Sequence, residues 1–153
     1  MKKNEEPIVV EQTFNASVDT VWNAITGIDR MHQWYFNNIP SFNPEVGFET
    51  QFNVQSKDRN FMHLWKVTEV VPLKMLAYNW KYKGISGDSI VKFELFDVNN
   101  LTKLRLTHQV LEDFPDDIPE FKRESGVEGW TFFINKSLKE FLGGSPPERR
   151  RDR

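Results

Sequence analysis

The feature that most constrains this chain lies near its end. Residues 117–142, DIPEFKRESGVEGWTFFINKSLKEFL, place Val127, Trp130, Ile134, Leu138 and Phe141 at helical spacing, with Phe133 and Leu142 beside them. That pattern predicts one long helix with a wide apolar stripe. Asp117 and Glu120 stand three apart as a capping box, Pro119 suits a first turn, and Gly143 marks the end. Such a helix would run roughly 36 Å. It is too apolar on one side to stand in water, so the rest of the chain must supply a concave receiver.

The preceding residues have the pattern of a sheet. Residues 8–14 alternate Ile8, Val10, Gln12 and Phe14 against Val9, Glu11 and Thr13, as a half-buried strand does. Ser17 then caps a short helix carrying Val18, Val21, Trp22 and Ile25 and closed by Gly27, and Asp29 caps a second with Met31 and Trp34. Residues 35–44, YFNNIPSFNP, form a loop whose rings must tuck under or over something. Strands are expected at 48–55, 61–71, 76–82, 91–95 and 104–110, separated by polar turns at 56–60, 84–88 and 97–100 and by Pro72. Strand, two short helices, about five antiparallel strands and a long helix make an α+β domain with its helices on one face of the sheet. Residues 1–7 are expected as a flexible N-terminus, 8–142 as a single domain, and 143–153, with Arg149, Arg150, Arg151 and Arg153, as a disordered basic tail.

Composition narrows the partners. With 20 basic against 22 acidic residues the net charge is -2, which argues against nucleic acid. No apolar run has membrane-spanning length, and the first residues lack the apolar core of a signal peptide, so a cytoplasmic protein is expected. Without Cys there is no thiol chemistry and no thiolate metal site; His32, His63 and His108 are too scattered to hold a metal, and no cofactor motif is present. The stretch Gly84-Ile85-Ser86-Gly87-Asp88 lacks the last glycine of a nucleophile elbow and reads as a turn. The 13 Phe and 5 Trp put much of the apolar volume into rings, which either fill a wide core or line a cavity.

These elements also carry a family resemblance. Residues 16–25, ASVDTVWNAI, are similar to an opening helix with a Val-Trp pair, followed by Trp34. Residues 67–72, VTEVVP, and 76–80, LAYNW, are similar to a central hairpin; 104–108, LRLTH, to a late strand ending in His; and Gly129-Trp130 with Leu138 to a closing helix. In that order the chain resembles the START and Bet v 1-like (SRPBCC) helix-grip superfamily, and within it the Aha1-type domain named for an activator of the Hsp90 ATPase. The resemblance implies a curved antiparallel sheet of about six strands wrapped around the long helix, often with a cavity between them. It also implies one of three functions: binding a small hydrophobic or amphipathic ligand without catalysis, stress-linked co-chaperone contact with Hsp90, or cyclase or hydrolase chemistry.

Candidate site residues follow from strand parity. Trp65, Tyr78, Trp80, Phe93 and Trp130 are expected as cavity walls, although burial of large rings explains core packing equally well. His108 shares a face with Leu104 and Leu106; it either orients a ligand or moves a proton, or is a hydrogen-bonded core histidine. Glu69 shares parity with Trp65 and Val67, so it points inward as an acid or base, or sits at a bulge near Pro72. Gly126 and Gly129, costly inside a helix, mark either close backbone packing or a gap that loosens the helix's first half.

Overall fold

The computed structural model describes residues 1–143, and the expected basic tail lies outside them apart from Gly143. Six strands form one antiparallel sheet: β1 (Ile8–Phe14), β2 (Glu49–Ser56), β3 (Arg59–Val71), β4 (Met75–Tyr82), β5 (Asp88–Val98) and β6 (Leu101–Glu112), in the order β1-β6-β5-β4-β3-β2. Helices α1 (Val18–Thr26) and α2 (Ile28–Trp34) interrupt the chain between β1 and β2. Ser17 caps α1 by accepting from the Thr20 amide at 3.2 Å, and the break at Gly27 serves as the cap of α2 in place of Asp29. At the β5–β6 turn both Asn99 and Asn100 have positive φ, 52° and 71°, the backbone a tight hairpin needs and asparagine tolerates.

Period-two alternation becomes two faces. The inner face of β4 to β6 is built from Leu76, Tyr78 and Trp80, from Val91, Phe93 and Leu95, and from Leu104, Leu106 and His108, all buried. The outer face carries the charges, among them Glu11 between Lys103 and Arg105.

The C-terminal helix begins later than the sequence predicts. Pro119–Phe121 form a 3-10 turn, and the helix runs from Arg123 with Lys122 at its cap and no side-chain cap bond. The Asp117–Glu120 box does not form, because the Glu120 carboxylate accepts from Ser56 Oγ at 2.8 Å and from Arg59 at 3.3 Å instead. Phe121 is withdrawn into the core against Phe61 and Tyr82, ring centroids 5.2 and 4.8 Å away. From there α3 (Arg123–Thr131), a π-helical segment (Phe132–Leu138) and α4 (Lys139–Gly143) form one continuous helix, roughly 30 Å long. The widened turn keeps Trp130, Ile134 and Leu138 buried four residues apart and also turns Phe133 toward the rings of Trp34 and Tyr35.

One further expectation changes, and one left open is decided. Residues 1–7 are docked, not loose: Met1 is buried with its amine on the Phe121 carbonyl, its carbonyl accepts from Phe114 N at 3.0 Å, and Lys3 N donates to Asp113 at 2.7 Å. At Gly126, a Cβ would come within 2.8 Å of Ile8 Cδ1 and 3.2 Å of Met1 Sδ, so this glycine marks close packing of the helix on β1. Gly129 differs, since a Cβ there would meet nothing within 4 Å.

Candidate functional site

The helix backbone runs closest to β1. Over β3 and β4, the space between sheet and helix is taken up by side chains, nearly all of them rings. Trp65 lies 4.6 Å from Tyr78 and 5.2 Å from Trp80 between ring centroids; Trp80 is 5.5 Å from Trp130, and Phe93 6.2 Å from Trp130. The five aromatic candidates therefore belong to one contiguous cluster, which His108 joins at 5.9 Å from Trp130. Gly126 lies apart, over Ile8. Glu69 is exposed, at the register shift where β3 bulges against β4, so it and the buried His108 are not brought together.

Parity reasoning missed several rings of the cluster, Tyr35, Phe36 and Phe133 among them. Tyr35 stacks on Trp34 at 4.5 Å and lies 5.5 Å from Trp65 and 5.0 Å from Phe133; Phe36 lies 6.0 Å from Trp65 and 5.1 Å from Phe133. Tyr35 and Phe36 come from the irregular segment 35–48, and Phe133 from the π turn. The only sequence signal for the first two was the ring-rich loop itself, which carries no period from which a direction can be read. Two side-chain bonds hold this segment down: His32 Nε2 donates to the Ile39 carbonyl at 2.7 Å, and Asn38 Nδ2 to the Asn53 carbonyl at 2.6 Å. A cleft of about 410 Å³ opens beside it, walled by His32, Tyr35, Phe36, Asn38, Asn53 and Gln55.

The polar groups of the cluster fall into two sets. In the first, Trp130 Nε1–H donates to His108 Nδ1 at 3.0 Å, His108 Nε2–H donates to Ser89 Oγ at 2.9 Å, and Ser89 donates to the Trp80 carbonyl at 2.7 Å. The Ser89 proton is committed to a carbonyl, so Nε2 must carry the imidazole proton and Nδ1 the lone pair. Burial pushes this histidine down to about 4, which keeps it neutral, and both its nitrogens are engaged. Burial also takes His63 to about 4; its Nδ1–H donates to the Phe61 carbonyl at 3.0 Å. In the second set, Tyr35 and Tyr78 share one hydroxyl bond of 2.7 Å, burial raising both phenols, while Trp65 Nε1 and Thr50 Oγ1 are enclosed without a hydrogen-bond partner. Among the described residues no three His, Asp or Glu side chains gather as a metal site, and no helix is long and apolar enough to cross a membrane.

A curved antiparallel sheet gripping a long C-terminal helix, with ring-lined space between them, defines the helix-grip class. Residues 15–143 match the family described as Activator of Hsp90 ATPase homolog 1-like protein, and the chain belongs to that family. A comparison with curated proteins found no match. Among solved structures it is similar to DynU16, a putative protein in the dynemicin biosynthetic locus, at 23% identity and a TM-score of 0.73 over 94% of this chain. The chain spans about half of DynU16, 49% of its length. It is also similar to protein MLL2253 from Mesorhizobium loti, at 24% identity and TM-score 0.72 over 92% of this chain and 99% of that one. The Aha1 dimer from Colwellia psychrerythraea matches at 25% identity and TM-score 0.69 over 90% of this chain and 96% of its own.

Proposed function

We propose that this protein binds a small hydrophobic or amphipathic molecule between its sheet and its C-terminal helix, in the cytoplasm, and performs no chemistry on it. One observation carries the reading. Two of the rings filling the space over β3 and β4, Tyr35 and Phe36, come from an irregular segment rather than from the sheet or the helix, beside an open cleft. Exchanging these two rings for those of a ligand would expose Trp65, Tyr78, Trp80, Phe93 and Trp130 while leaving every ladder bond of the sheet in place. In this reading His108 is a connector: its lone pair and its proton are both committed to neighbours, so it has neither to give to a substrate.

The test is a panel of lipids, aromatics and polyketides screened by tryptophan fluorescence and thermal shift. A ligand at 100 times its Kd should stabilise the fold by about 2.7 kcal/mol. If no member of the panel moves either signal, the reading fails. The family match supports a second reading, in which the surface of the domain contacts Hsp90. Stimulation of the ATPase of the host Hsp90 would favour it, and its absence at saturating protein would dismiss it.

A further inference from the structure

Trp65 and Thr50 face each other across the β2–β3 ladder, and parity with Phe52 and Val67 sets both on the inner side of the sheet. Trp65 is 2% exposed, yet its indole N–H has no acceptor, and the Thr50 hydroxyl is enclosed with no partner either. A third unmet donor follows from proton counting. The 2.7 Å contact between the Tyr35 and Tyr78 hydroxyls is the one side-chain hydrogen bond either makes among the described residues, so one hydroxyl donates and the other keeps a proton with no acceptor. The Trp65 ring is 4.6 Å from Tyr78 and 5.5 Å from Tyr35.

An enclosed donor without a partner costs about 1–3 kcal/mol, and native interiors leave few of them. Three other indoles of this interior do meet acceptors. The indoles of Trp34, Trp80 and Trp130 donate to the Ala24 carbonyl, to Tyr82 Oη and to His108. The Trp65 and Thr50 donors and the Tyr35–Tyr78 pair lie together on the wall beneath the 35–48 segment. The charge of the missing acceptor can be read as well. The buried polar residues are Thr26, His63, Ser89, Thr102 and His108, with no Lys or Arg among them. A carboxylate or phosphate there would be stripped of water with no cation to balance it, which disfavours it strongly.

We propose that this wall is the polar end of the binding site and that the ligand is a flat aromatic molecule bearing a neutral carbonyl oxygen, which accepts from Trp65 Nε1–H with the Thr50 hydroxyl and, once Tyr35 has given way, the Tyr78 hydroxyl beside it. The proposal rests on the binding reading above and specifies its ligand class. It is tested with a matched pair, fluorenone and fluorene, which share a three-ring skeleton and differ in the ketone. Titration calorimetry on the full chain should show fluorenone binding about tenfold more tightly. In Trp65→Phe, and separately in the near-isosteric Thr50→Val, the ratio of the two affinities should fall toward one. Should neither compound bind while a member of the wider panel does, the binding reading stands and this proposal is overturned; should nothing in the panel bind either, both fail. Equal binding of both would leave the binding reading standing and overturn the acceptor proposal, the donors then being met by water. A fluorenone preference that survives both substitutions overturns it too.

Discussion

Trp130 and Trp65 are both buried indoles of the same ring cluster, 4% and 2% exposed, yet their N–H groups have opposite fates. That of Trp130 opens a relay through His108 and Ser89 to a backbone carbonyl, in which every donor has its acceptor. That of Trp65, at the β2–β3 side, meets nothing. A complete polar network in a low-dielectric interior locks its members in place, whereas an incomplete one is a cost the fold carries. One end of the cluster is therefore finished by its own side chains, and the other is left with donors its own side chains do not meet.

The largest test of this contrast is Trp130→Ala, which should lower unfolding free energy by about 3–5 kcal/mol in urea titration, as truncation of a well-packed tryptophan does. A loss below about 1 kcal/mol would mean that the finished end is loose after all. A sharper comparison uses one substitution at two sites. Trp130→Phe strips His108 Nδ1 of its donor, whereas Trp65→Phe removes a donor that had no partner, so without ligand the former should cost about 1–3 kcal/mol more. Equal costs would erase the distinction between the two ends.

The relay also predicts a pH dependence. His108 and His63 fall from 6.5 to about 4 on folding, chiefly through burial. Above pH 6.5 both states are neutral. Between 6.5 and about 4 the unfolded chain binds protons that the folded chain refuses, so stability should decline with falling pH by at most about 1.4 kcal/mol per unit for each imidazole. His108→Asn should remove about half of that slope, and a slope unchanged by the substitution would show that His108 titrates normally. The smallest effect concerns the helix glycines. Gly129→Ala, with open space around the new methyl, should stabilise by about 1 kcal/mol in thermal melts, while Gly126→Ala should lose that gain against Ile8 and Met1. If both stabilise equally, the helix does not press on β1.

Much of this was legible residue by residue. Period two sorted Leu104, Leu106 and His108 inward, and period 3.6 found the stripe of Trp130, Ile134 and Leu138, because one face of each element must leave water. The helix start was misread because Glu120 bonds to Ser56 and Arg59, some sixty residues away, contacts that no local capping rule contains. Glu69 had two readings, and the register shift after Val67 selected the exposed one.

By itself the sequence determined the order of elements, the inward faces and the density of rings, since these follow from local spacing and the removal of apolar surface from water. Only the tertiary structure decided which donors find acceptors: that Trp130 meets His108, that Gly126 is pressed against Ile8, that Tyr35 and Phe36 reach over the sheet, and that Trp65 is left without a partner. The reason is physical. Burial is a property of one residue and its period, whereas a hydrogen bond needs two groups within about 3 Å, and only the folded chain sets that distance between residues far apart in sequence.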